Sequence, residues 1–290
     1  MATERTGVTT ADFEAGFFDL DGATEYKNIM IYGGPGAGKT VLAGSAPGRI
    51  LFFAGEPGYI SAARLGARGT ARLIPDSATA VAAAAWLEDG HASKFDFLIV
   101  DGVGTIQNKA LLSYAAEAFD ANPAKRTHRN LPDKPDYFNA QNFVKSWVAR
   151  LVDCPIHVIF TAHAMFPEDK ETGDQLVYPA IQGKGYEVSS YVCGMMHAVG
   201  YMSPRVNAEG EPVRRVLWQA TKDPKNDTTY FAKDQFDALG TFTDIKRGTM
   251  MMPQILETID SGKRNEAPEM VIPPPVAAKK AATRRAPARR

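Results

Sequence analysis

Short apolar runs recur along the chain, and segments with helical spacing separate them. Lys27–Tyr32 (KNIMIY), Arg49–Ala54 (RILFFA), Phe95–Val100 (FDFLIV) and Ile156–Thr161 (IHVIFT) read as strands buried on both faces, with Ala71–Ile74 a shorter candidate. Thr40–Ser45, Ser77–Leu87, Ile106–Phe119 and Tyr137–Val152 read as helices. Ser77 is taken as the N-cap of its helix, and Phe143, Trp147 and Leu151 share one face of theirs. Met195–Met202 and Val213–Thr221 predict a hairpin around Asn207-Ala208-Glu209-Gly210, and a short helix near Met252–Ile259 closes the pattern. Two long polar stretches interrupt it: Asp120–Asp136 reads as a structureless loop, and Ala164–Gly185 as a second. Strands alternating with helices predict an α/β fold with a mainly parallel central sheet flanked by helices and a C-terminal β-hairpin. Ligands of such sheets bind at the carboxyl ends of strands.

Residues 1–25 lack periodicity but carry Phe13, Phe17 and Phe18, so they are expected to form a short N-terminal segment docked on the core, before a domain spanning 26–261. Residues 262–290 are Pro, Ala, Lys and Arg, too poor in apolar side chains to pack, and are expected to be a disordered basic tail. With 33 basic and 33 acidic residues the chain is neutral, but eight basic and two acidic side chains leave the tail at +6 and the rest at −6. Cys154 and Cys193 have no metal or redox spacing and read as buried thiols. No apolar run is long enough to span a membrane and the first residues lack a signal-peptide core, so a cytoplasmic protein with no membrane partner is expected.

The chemistry concentrates in Gly33-Gly34-Pro35-Gly36-Ala37-Gly38-Lys39-Thr40, which meets the pattern G-x-x-x-x-G-K-[ST] between a strand and a helix. Glycines let successive N–H groups face phosphate oxygens, a lysine reaches the β- and γ-phosphates, and the threonine hydroxyl ligates Mg²⁺. The pattern therefore predicts a nucleoside triphosphate, ATP, with Mg²⁺. Four apolar residues ending on Asp101 make the second magnesium element, which acts through a water. Gly102 follows Asp101 where AAA+ ATPases usually keep a catalytic Glu, which counts against that class. Asp101-Gly102-Val103-Gly104 satisfies the D-x-x-G of GTPases, but Thr221-Lys222-Asp223 runs into Pro224, so the guanine-reading motif is missing.

Glu56, at the carboxyl end of the strand after the phosphate loop, resembles the water-polarising Glu of RecA/Rad51-like recombinases. Thr161 and His163 stand where that family carries a polar γ-phosphate sensor. Tyr230-Phe231-Ala232-Lys233-Asp234-Gln235 resembles the aromatic-Ala-Lys-x-Arg segment whose Lys and Arg reach a neighbouring subunit's nucleotide. Lys233 matches, and Gln235 replaces the Arg, so one cation is missing unless Arg214, Arg215 or Lys222 supplies it. The whole, from Lys27 to Ile259, resembles the phage-encoded RecA-like P-loop ATPases, an AAA-type family that includes the Sak-four single-strand annealing group. The resemblance implies DNA-stimulated ATP hydrolysis in the host cytoplasm, annealing or strand exchange on single-stranded DNA, and a ring or filament of identical subunits. It also implies catalytic roles for Lys39, Glu56, Thr161, His163 and Lys233, and a single-strand-binding protein as a partner.

Two loops line the DNA channel of such cores. The first loop here offers Lys125, Arg126, Arg129 and Lys134 beside Tyr137 and Phe138; the second offers Lys170 and Lys184 beside Phe166, Tyr178 and Tyr186. Cations on the backbone with aromatic rings for stacking suit single-stranded DNA. The second loop is also acidic, and both read equally as solvated surface. Two other classes stay open: a nucleotide-dependent switch or helicase-loader-like adaptor whose partner is a protein, and a P-loop kinase of a small acceptor.

Overall fold

The computed structural model describes residues 26–168, 173–223, 227–246, 248–249 and 251–261. The N-terminal segment, Lys170 and the basic tail lie outside these residues. The strands are β1 (Asn28–Gly33), β2 (Ile50–Ala54), β3 (Gly69–Leu73), β4 (Phe97–Asp101), β5 (His157–Met165), β6 (Gln175–Pro179), β7 (Ala198–Val206), β8 (Pro212–Leu217), β9 (Thr221–Asp223), β10 (Thr228–Tyr230), β11 (Lys233–Asp234) and β12 (Phe242–Lys246). The helices are α1 (Lys39–Ala43), α2 (Tyr59–Arg64), α3 (Ser77–Glu88), α4 (Val103–Ala121), α5 (Lys134–Val152), α6 (Glu187–Gly194) and α7 (Met252–Ser261).

The main sheet runs β12-β8-β7-β1-β5-β4-β2-β3. Every pairing from β7 to β3 is parallel, and β8 and β12 close one side antiparallel. This is the expected α/β architecture, a mainly parallel central sheet with an antiparallel hairpin at one side. The central strands are apolar throughout because both faces are covered. Met30, Tyr32, Phe53, Val100 and Phe160 pack on one face with Ala80, Ile106 and Trp147 of α3, α4 and α5. Ile29, Ile31, Phe52, Ile99 and Ile159 pack on the other with Leu42, Ala62 and Ile255 of α1, α2 and α7. Side chains alternate across a strand, so each strand feeds both cores. Among the described residues no helix is long and apolar enough to cross a membrane.

Several elements differ from the sequence pattern. Asp76, not Ser77, caps α3: its Oδ1 accepts the Thr79 N–H at 2.7 Å, and Ser77 is the first helical residue. The second long loop holds a strand, β6, which pairs with β5 at Ala164 and with β10. The first loop shrinks, because α4 runs on to Ala121 and α5 starts at Lys134. Asp133 and Asp136 form a capping box at the start of α5, and Pro135 sits in its first turn, where a missing N–H costs nothing.

Ion pairs fix that loop and alter the reading of its basic residues. Arg126 forks onto Asp136, with its Nη2 3.0 Å from Oδ1, and also reaches Asp133 at 3.3 Å. Arg129 pairs in the same way with Asp120, at 3.0 and 2.7 Å. Both guanidiniums are thus engaged with carboxylates of the same loop region. Asp136 is buried, and the Arg126 hydrogen bonds hold its carboxyl below the ordinary aspartate range. Removing one partner of a buried pair strands the other charge. Arg126→Ala should therefore lower stability in chemical denaturation at neutral pH, whereas Lys125→Ala should leave it close to wild type. Because the folded carboxyl titrates low, the Arg126 effect should be full above the unfolded aspartate value of about 3.9 and fade as the pH falls through the folded value.

Candidate functional site

β5 lies between β1 and β4 in the sheet, with Gly33 beside His163 and Val100 beside Phe160. The phosphate loop, the end of β5 and Asp101 therefore meet at one carboxyl edge, and Glu56 joins them from the neighbouring β2. Together they line a cleft of about 330 Å³ with Pro35, Gly36, Gly38, Lys39, Thr40, Glu56, Asp101, Thr161, His163 and Arg214 among its walls.

Lys39 is buried and its Nζ donates to the carbonyls of Gly33 and Gly34 at 3.0 and 2.9 Å, so the lysine folds back over the loop. Burial pushes its ammonium below the usual lysine value, while Asp101 and Glu56 push it up. Asp101, at 3% exposure, ends a fully buried strand. Its Oδ1 accepts the hydroxyls of Thr40 and Thr161, both at 2.7 Å. Burial raises the carboxyl and those two hydrogen bonds lower it. The chain must turn sharply after Asp101, and Gly102 does so with φ +85°, a conformation that a Glu there would strain.

The residues fit Mg²⁺. Asp101 Oδ2 is buried without a hydrogen-bond partner among the described residues. Gly58 keeps the space before it open, since a Cβ there would come 2.5 Å from that oxygen and 3.0 Å from Thr40 Oγ1. Among the described residues no cluster of three His, Cys, Asp or Glu could hold a metal unaided. A Thr hydroxyl, one carboxylate and substrate phosphates suit magnesium, which keeps waters and takes few protein ligands.

Glu56 sits half-buried at the cleft. Its Oε1 accepts the Thr105 hydroxyl from the first turn of α4 and lies 3.3 Å from His163 Nε2. Thr161 and His163 separate in role. The Thr161 hydroxyl is committed to Asp101 and accepts the Gly102 N–H at 2.9 Å, so it orients the carboxylate. His163 lines the cleft as well, and its ring lies against Glu56. Lys233 lies elsewhere: it pairs with Val199 near the start of β7, and its ammonium holds the carbonyls of Gly194 and Met196 at 3.2 and 2.6 Å. That bonding places its ammonium at the end of α6 of its own chain.

The sequence reading missed Thr105, Gln107 and Lys109, all on α4. Lys109 Nζ donates to Gly55 O at 2.6 Å and so fixes the turn that carries Glu56. Gln107 exchanges two hydrogen bonds with the Gln182 backbone, at 2.8 and 2.6 Å. The only signal was position: a helix starting directly after Asp101 must point its first turn at the strand ends.

Thr161→Val removes one hydrogen bond that lowers Asp101 and one that holds Gly102. Magnesium affinity in the nucleotide-loaded protein should fall by about 10- to 100-fold, read from the Mg²⁺ dependence of ATP binding. The carboxyl should also titrate higher, so Mg²⁺-dependent binding should be lost at a higher pH than in wild type on acidification.

Comparison with known proteins places this site in a family. Residues 25–236 match the family model AAA_24, described as an AAA domain, and the match contains every cleft residue named above. No curated protein matches the chain. Among solved structures, the flagellar accessory protein FlaH from Methanocaldococcus jannaschii is similar over 66% of this chain and 78% of its own, with 10% identity and a TM-score of 0.31. Gly102 in place of a Glu thus does not remove the chain from the AAA domains. The chain belongs to the AAA domain family AAA_24 and is an AAA-type P-loop ATPase.

Proposed function

We propose that this protein hydrolyses ATP with Glu56 as the general base and uses the cycle to bind and rearrange single-stranded DNA. One observation carries the hydrolytic half: the Glu56 carboxylate faces the phosphate-loop cleft and is held at one oxygen by Thr105 and His163. Oε2 makes no hydrogen bond among the described residues, which leaves an acceptor for a proton from water. The phosphate-loop N–H groups and Lys39 bind and orient the phosphates, Thr40 and Asp101 hold Mg²⁺, and Thr161 keeps Asp101 in place. The metal, when bound, neutralises charge on the β- and γ-phosphate oxygens.

The DNA half draws on exposed rings near lysines that form no ion pair among the described residues. Tyr137 and Phe138, 37% and 64% exposed, follow Lys134, and Lys125 lies upstream. Phe166 and Tyr186 are exposed on the second loop with Lys184. With Arg126 and Arg129 engaged, the reading rests on Lys125, Lys134 and Lys184 for backbone phosphates. The second loop is also wired to the site, because the Ala180 N–H donates to His163 O at 2.7 Å and Gln107 grips Gln182. A strand bound to that loop would act on His163 and so on Glu56. The reading includes assembly of identical subunits along the DNA. The ion pairing of Arg126 and Arg129 favours one other reading, a nucleotide-dependent switch with a protein partner.

ATP turnover with and without single-stranded DNA tests both. The proposal expects stimulation by DNA and a gel shift that requires ATP; equal rates and no shift favour the switch. Glu56→Gln should retain ATP binding and lose turnover by about 10²- to 10⁴-fold, and undiminished turnover removes Glu56 from the base role.

A further inference from the structure

Adjacent residues of a strand face opposite sides of the sheet, and β8 places two arginines in succession. Arg215 faces away from the cleft, with its guanidinium forked onto Asp244 at 2.7 Å through both nitrogens and stacked 3.8 Å over the Phe242 ring. Arg214 faces the phosphate loop. It lines the cleft with Lys39 and Thr40, and a Cβ on Gly38 would overlap its Nη1. Its backbone is fixed on both sides, paired with Pro204 of β7 and Ile245 of β12. The residue is half-buried, and no acid pairs with it among the described residues. A guanidinium partly removed from water is ordinarily matched to an anion. Here the space before it is the phosphate cradle.

We propose that Arg214 is the phosphate-binding arginine of this site and that it acts in cis, on the nucleotide held by Lys39 of the same chain. The proposal rests on the ATPase reading and specifies where its missing cation comes from. A guanidinium fork donates two N–H groups to non-bridging phosphate oxygens and adds a positive charge beside Lys39. The alternatives in the chain are engaged or neutral. Lys222 pairs with Asp174 at 2.6 Å, Lys233 holds the Gly194 and Met196 carbonyls, and Gln235 carries no charge. The position that resemblance assigns to a neighbour's arginine is thus empty of charge, while one on this chain's own hairpin reaches the loop.

The test begins with equilibrium binding of ATP and Mg²⁺ to the wild-type full chain. Absence of binding refutes the ATPase reading and this proposal together. Given wild-type binding, folded Arg214→Ala should bind ATP about 10- to 100-fold more weakly, the loss of one charged hydrogen-bonding group. Arg214→Lys should fall between the two, since it keeps the charge and loses the fork. Affinity of Arg214→Ala within twofold of wild type overturns the proposal alone. A mixing assay tests the cis assignment. Arg214→Ala and Lys39→Ala chains, each deficient in turnover, are combined in equal amounts. No recovery of ATP hydrolysis is expected, because no chain carries both groups. Recovery would mean that one chain lends Arg214 to another's phosphate loop, and would overturn the assignment.

Discussion

Asp101 sits at the end of a strand whose other residues are apolar and buried, and its neighbours are arranged around the cost of that placement. A carboxylate out of water needs donors. Thr40 from the phosphate loop and Thr161 from β5 both donate to one oxygen, and Lys39 adds a nearby charge. The other oxygen has no donor among the described residues and is directed at the space beside Gly58. The same bonds that make the burial tolerable lock the phosphate loop, β5 and β4 into a single register. A site of this kind is preorganised for a divalent cation because the protein's own donors reach only half of the carboxylate.

The first two turns of α4 extend that organisation outward. Thr105 holds Glu56, Lys109 holds the turn carrying it, and Gln107 holds the returning second loop at Gln182. One helix, started at a left-handed glycine directly after Asp101, thus touches the base candidate and the loop that is proposed to meet DNA. The connections are hydrogen bonds between rigid elements, so a displacement at Gln182 has a short physical path to Glu56. On the opposite side of the cleft the β7–β8 hairpin contributes Arg214, and the phosphate loop lies between the two.

Much of the fold was legible because both faces of the central sheet are covered. Burial on two sides forces continuous apolar runs, and those runs stand out at β1, β2, β4 and β5. The elements missed are short or at the margin. β9, β10 and β11 are two or three residues long and owe their conformation to partners distant in sequence. The first loop was overestimated because its order comes from Arg126–Asp136 and Arg129–Asp120 pairs, and spacing alone does not say which basic residue meets which acid.

The sequence by itself determined the phosphate loop, the acid at the end of β4 and the carboxylate at the end of β2. Each depends on local order: a strand must end, a glycine must turn, and a side chain at the end of a buried parallel strand emerges at the ligand edge. The tertiary structure decided what those groups touch. It committed Thr161 to Asp101 and gave His163 to Glu56. It closed Lys233 onto its own chain and brought Arg214, far along the sequence, over Gly38. Those outcomes depend on which strands lie side by side and which charges find partners, a matter of three-dimensional pairing that no spacing along the chain encodes.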